Sequence, residues 1–298
     1  MAQPLLGRLR ERPGNPRIEV LAPPWVAPVA RRMAEVDEVI EADLRHGALQ
    51  LGERWRLGRQ LKARGYSEAY VLPNTLKAAL IPYFAGIPAR IGYRGEARFG
   101  LLNRVFDAGP DREGMTAHYA RLAGDATQPL SSPVLITRPN DTAARFGISG
   151  PYVVFCPGAE YGPAKRWPYF SELAAKLDRQ VVLLGSASDR EPAAGIAGRN
   201  LIGQTTLDEA IDLIAGAAVV ISNDSGLMHV AAAAGTPQLA LFGSSSPLHT
   251  PPMSALARVL WLKIECSPCY QRVCPLGHFN CMNGLGVERV LAEIRSLQ

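Results

Sequence analysis

The chain reads as an α/β protein built from two Rossmann-like domains, each with a parallel sheet, facing a central cleft. Three observations lead there. Runs of Val, Leu and Ile alternate with helix-like segments along the whole length. At 298 residues the chain is long enough for two cores. A proline-punctuated stretch over 129–139 separates two series of β/α units, which sets the expected domains at 1–139 and 140–298.

In the first series, strands are expected at 17–22, 69–73 and 89–93, and helices at 4–11, 28–33, 53–64 and 75–85. The more polar stretch 107–132 carries one helix, near 115–124. After a short helix at 141–146, the second series has cleaner strands at 152–156, 180–184, 200–202, 219–222 and 238–242. Its helices fall at 168–177, 190–197, 207–215 and 227–234, with one more at the C-terminus. Such continuous apolar strands predict a sheet buried on both faces. The start is unusual, because an amphipathic helix (MAQPLLGRLRER) precedes the first strand. A parallel β/α domain normally leads with a central strand, so that strand and its loop are expected to be missing here.

Hydrophobic residues make up 47% and charged residues 20%, an ordinary soluble composition without a membrane-spanning run or a signal peptide. A cytoplasmic location follows. The net charge of +5 suits an anionic substrate or membrane surface, and no nucleic-acid motif accompanies it. No amphipathic anchor helix stands out.

Three strand ends in the second half carry polar loops. In SNDSGLMHVAAAAGTP, Asp224 is the expected N-cap, and Gly235 with Pro237 stops the helix. Gly226 sits in the first turn, where glycine costs about 1 kcal/mol relative to alanine. A capped helix packed on a sheet accounts for these residues, as does an anion approaching the helix N–H groups beside Ser225 and His229. CPGAEYGPAKRWPYFSEL sets Lys165 and Arg166 ahead of Pro168, the expected first residue of a helix, and forms a pyrophosphate clamp or a solvated basic loop. In LLGSASDRE, Gly185 and Ser186 can pass close to a base or ribose. Together the three loops point to a nucleotide diphosphate.

Those words, with SSSPLHTPP, MAEVDEVI and VLPNTLKAALIPYFAGIPARIGYRGEARFGLLN, resemble the heptosyltransferases of glycosyltransferase family 9 over nearly the whole chain. The resemblance implies a GT-B fold and an inverting transfer of heptose from ADP-heptose to the first heptose of the lipopolysaccharide inner core. It implies that Lys165 neutralises the departing phosphates and that Asp224, Ser225, Gly226 and His229 hold ADP. No metal is then needed for transfer, since protein cations and N–H groups stabilise the leaving group. Among Arg90, Arg94, Arg98 and Arg104, Arg94 and Arg98 are the expected contacts to the anionic acceptor. The lipid-anchored acceptor implies peripheral work at the inner membrane. Family members open with a Gly-Asp loop whose aspartate is the general base, and no aspartate here matches it. The expectation is therefore ADP binding with poor transfer. Alternatives are another family 9 transferase such as a heptosyltransferase I-like enzyme, or a catalytically silent ADP-binding protein.

The spacing C-x₂-C-x₄-C-x₆-C joins Cys266, Cys269, Cys274 and Cys281, with His278 inside. Four thiols can close a zinc site or hold an iron–sulfur cluster, or remain unmetallated structural cysteines. A metal- or redox-sensing role would act through them.

Overall fold

The computed structural model describes residues 1–45, 47–108, 114–124, 129–138 and 141–297. They form two compact units: Met1–Pro24 with Glu38–Ser131, and Trp25–Asp37 with Ser132–Gln298. The break expected between residues 139 and 140 lies outside the described residues, as does the last residue of the expected linker. Both units are α/β with parallel strands.

The first unit opens with α1 (Gln3–Arg10) and β1 (Glu19–Ala22). After an excursion carrying α2 (Ala27–Arg31) into the second unit, it resumes with β2 (Glu38–Glu41), α3 (Leu51–Lys62) and β3 (Glu68–Val71). Then follow α4 (Leu76–Phe84), β4 (Ala89–Tyr93), β5 (Arg104–Phe106) and α5 (Met115–Ala120). The strands make two parallel sheets, β1-β2 and β3-β4-β5. Leu5, Leu9, Ile18, Ile91, Tyr93 and Leu122 share one core between them. Register sets Glu19 beside Glu38, a like-charge pair that stands because Arg17 and Arg64 each bridge both carboxylates. Sequence reading missed β2 and β5, because short strands bearing Glu and Arg give little apolar signal.

The second unit contains α6 (Asp141–Arg145), β6 (Tyr152–Cys156), α7 (Phe170–Ala175), β7 (Gln180–Leu183) and β8 (Arg199–Asn200). It continues with α8 (Leu207–Ala215), β9 (Val219–Asn223), α9 (Gly226–Ala233), β10 (Gln238–Phe242) and β11 (Ala257–Trp261), and ends with α10 (Asn280–Asn283) and α11 (Val287–Ser296). One parallel sheet runs β11-β10-β9-β6-β7-β8, the doubly wound order. Alternation along β6 sends Val153 and Phe155 into a core with Trp167, Phe170 and α11, and Tyr152 and Val154 into a core with α8 and α9. The order reverses between β6 and β9, so the loops leaving those strands border the switch point, where open α/β sheets bind ligands.

Two local expectations need correcting. The helix expected over 190–197 is a 3₁₀ turn at Ala187–Asp189 followed by turns, since Pro192 brings no N–H and Gly195 has φ +75°. Pro168 lies ahead of α7, whose N-cap is Tyr169. Helix α9 stops as expected. Gly235 takes φ +71°, and the Thr236 and Gly235 N–H groups bond back to the carbonyls of Ala231 and Ala232, a Schellman ending.

The 25–37 segment is held in the second unit by Arg32, 3% exposed. Its guanidinium donates to Asp208 Oδ1 (2.7 Å), to both Asp212 oxygens (2.5 and 3.1 Å) and to the Ile136 carbonyl (3.1 Å). Asp208 and Asp212 lie one turn apart on α8, so both meet the one fork.

Candidate functional site

The loops after β6, β9 and β10 converge in the second unit. Lys165 closes a 3₁₀ turn, Pro163–Lys165, and its Nζ lies 2.5 Å from Asp224 Oδ2. The Ser245 hydroxyl donates to the same oxygen at 2.6 Å, and that of Thr250 reaches Oδ1 at 3.5 Å. The Tyr161 ring lies 4.9 Å from the Lys165 ammonium, a cation–π contact. Beside this cluster is a cavity of about 180 Å³ lined by Tyr161, Lys165, Ser245, Ser246, His249 and Thr250, together with Tyr270. His249 Nδ1 is buried without a partner among the described residues.

Asp224 is therefore not the N-cap. Its carboxylate is taken by Lys165 and Ser245, and the cap position falls to Ser225, whose side chain makes no capping bond. The first-turn N–H groups of α9 are thus without a side-chain cap. A Cβ on Gly226 would meet nothing within 4 Å, so this helix start is open. Asn223, buried beneath, joins the loops by donating to the Pro157 carbonyl (2.8 Å) and accepting from the Trp167 N–H (3.0 Å).

Gly185 and Ser186 have structural work. The Ser186 N–H and hydroxyl both donate to Asp189 Oδ2 at 2.8 Å, closing a capping box. A Cβ on Gly185 would stand 2.9 Å from that oxygen, and one on Gly158 would stand 2.1 Å from Asp189 Oδ1. Two glycines thus let a buried carboxylate sit against the loops after β6 and β7.

Burial pushes the His229 imidazole down to about 4, with Asp224 opposing and Lys165 reinforcing the shift. The side chain is neutral at pH 7 and offers a hydrogen bond rather than a charge. Because the unfolded chain takes this proton near its ordinary value and the fold resists it, stability is lost as pH falls from about 6.5 toward 4. His229→Gln is expected to flatten that stretch of a denaturation-versus-pH profile. An unchanged slope would show that other groups set it.

In the first unit, exposed Arg94 pairs with exposed Asp107 at 2.5 Å. Arg98 is 4% exposed, and its guanidinium donates to the Pro73 and Tyr93 carbonyls and to Asn74. It fastens its own loop rather than presenting a charge.

Cys266, Cys269, Cys274 and Cys281 are free thiols lining one cavity of about 20 Å³ with His278. Burial, with the neighbouring thiols, pushes Cys281 up, and backbone N–H groups led by that of Phe279 hold Cys274 below its ordinary value. No three His, Cys, Asp or Glu among the described residues form a group that could hold a metal ion, so the zinc or iron–sulfur alternative gains no support here. This stretch instead braces the site. The Arg272 carbonyl accepts from the Ala164 N–H, the Tyr270 carbonyl accepts from Tyr161, and the Tyr270 N–H donates to the Ser244 carbonyl.

The profile of glycosyltransferase family 9 (heptosyltransferase) matches residues 54–280. The chain belongs to that family. Lipopolysaccharide heptosyltransferase 2 of Escherichia coli K12 is 44% identical over 100% of this chain and 94% of that protein. Lipooligosaccharide heptosyltransferase 2 of Haemophilus influenzae is 41% identical over 88% of this chain and 84% of that protein. Among solved structures, the E. coli ADP-heptose lipopolysaccharide heptosyltransferase II has a TM-score of 0.85 at 41% identity, covering 99% of this chain and 93% of that one. In this family 9 glycosyltransferase the cavity beside Lys165 is also lined by residues that sequence reading did not single out: Tyr161, Ser245, His249 and Thr250. The signal was available, since SSSPLHTPP directly follows the apolar run of β10, another strand end.

Proposed function

We propose that this family 9 transferase moves heptose from ADP-heptose to the first heptose of the lipopolysaccharide inner core, with inversion at the transferred carbon. The supporting observation is a cation and an uncapped helix start meeting at the sheet's switch point, beside a polar cavity. Lys165 exchanges its bond to Asp224 for the diphosphate, and the α9 N–H groups share the charge as ADP departs. Asp224 and Ser245 keep the ammonium aimed until donor arrives. Neutral His229 donates or accepts one hydrogen bond at the nucleotide. Exposed Arg94 is the arginine assigned to the anionic acceptor. The acceptor's lipid anchor puts the reaction at the cytoplasmic face of the inner membrane, with the protein held peripherally.

Gly226→Ala separates ligand approach from packing. An added methyl group meets open space, so the unfolding midpoint stays level or rises. ADP affinity falls roughly tenfold, about 1.4 kcal/mol, because the methyl group shields the N–H groups. Calorimetry giving an unchanged affinity would remove the diphosphate from this helix start. For the reaction itself, turnover with ADP-heptose on a heptose-terminated core is the test. A UDP-sugar used in preference to ADP-heptose would replace this donor with another.

A further inference from the structure

We propose that the exposed face of α3 docks on an anionic lipid surface. This rests on the reading above that the acceptor is anchored in a membrane. Arg54, Gly58 and Leu61 form the buried face of α3. At 3.6 residues per turn, Leu51, Trp55, Arg59 and Lys62 fall within one exposed arc of about 80° that flanks the buried face. Leu51 is 50% exposed and Trp55 55% exposed, and Leu49, just ahead of the helix, is 50% exposed. Arg59 and Lys62 are exposed beside them. The helix's only carboxylate, Glu53, lies outside that arc and is paired with Arg56 at 2.6 Å.

The arc thus combines large apolar groups with two cations and no acid. A lone exposed leucine carries no meaning. A tryptophan and leucines bordered by cations is the chemistry of a membrane interface, where the indole sits at headgroup level and each cation gains from anionic lipid. Charge complementarity selects an anionic bilayer as the occupant. The sequence did not reveal this face because Arg54, also in the helix, is a cation that points inward and blurs the pattern.

The test is co-sedimentation of the full chain with vesicles of phosphatidylethanolamine and phosphatidylglycerol, against phosphatidylcholine vesicles. Anionic vesicles are expected to bind the protein at low salt and release it at high salt. Trp55→Ser and the double variant Arg59→Glu/Lys62→Glu are expected to bind at least tenfold more weakly, with unchanged unfolding midpoints. Turnover on a soluble, delipidated core oligosaccharide should match wild type in both, whereas turnover on acceptor embedded in vesicles should fall. Variants that sediment like wild type overturn the proposal. So does a change from dimer to monomer in the variants without loss of vesicle binding, which would make this a face between copies. Failure of the wild type on the soluble acceptor would count against the transferase reading and leave the vesicle result standing.

Discussion

Lys165→Ala is expected to weaken ADP binding about 100-fold, roughly 3 kcal/mol, when titrated calorimetrically into the full chain. Two effects add. A charge-assisted hydrogen bond to phosphate is lost, which alone is worth about 1.5–3 kcal/mol. The Asp224 carboxylate, 6% exposed, then keeps only its hydroxyl partners and repels the incoming diphosphate. Adding Asp224→Asn to the same variant should recover part of the affinity, because repulsion disappears while the missing cation does not return. Such a double-mutant cycle measures the coupling directly. Wild-type affinity in Lys165→Ala would exclude this lysine from the donor site.

Arg32→Ala is expected to cost the second unit about 3–5 kcal/mol of unfolding free energy, the range for breaking a buried ion pair by removing one partner. Asp212, only 9% exposed, would be left with a charge its remaining partners do not neutralise. Arg32→Met, which fills the space without the charge, shares that fault, whereas Arg32→Met with Asp212→Asn should be milder than either alanine or methionine alone. Burial works to raise the Asp212 carboxyl, but bonds from Arg32 and the Arg138 N–H outweigh it and hold it below its ordinary value of 3.8. The pair's contribution is thus complete above about pH 4 and disappears as pH falls through the depressed value. Denaturation of wild type and Arg32→Ala should converge in strong acid. Equal midpoints at pH 7 would show that the segment is held by apolar packing alone.

The centre of the second unit's parallel sheet was legible because β6, β9 and β10 are buried throughout and read as mostly apolar runs, whereas the half-exposed edge strand β11 was missed. The loops at its switch point were legible for the same reason, since each follows such a run. Their internal bonding was not. Asp224 has the side chain and position of an N-cap, and a lysine 59 residues earlier outcompeted the local helix for it. Arg32 gave no signal, because its carboxylates lie 176 and 180 residues away and appear in sequence as the polar face of α8. Arg98 looked like a surface cation, and only its contacts to the Pro73 and Tyr93 carbonyls reveal a buried staple. Local preference predicts elements well, while long-range pairing decides which polar side chains are left for a ligand.

The excursion of residues 25–37 has a consequence for biosynthesis. The chain passes between its two units at 24/25, 37/38 and 131/132. A ribosome therefore delivers Val29, Met33 and Arg32 long before α8, the helix they pack or pair with, has been made. N-terminal domains ordinarily fold first during synthesis. Here an early stretch of apolar and charged residues waits, unshielded, for a late partner, and neither unit exists as one continuous length of polypeptide. Severing the gene at the inter-unit boundary would yield a first fragment with an exposed adhesive strip and a second with an unfilled groove. Fragment complementation would then have to restore, between two chains, a pairing that nature makes within one.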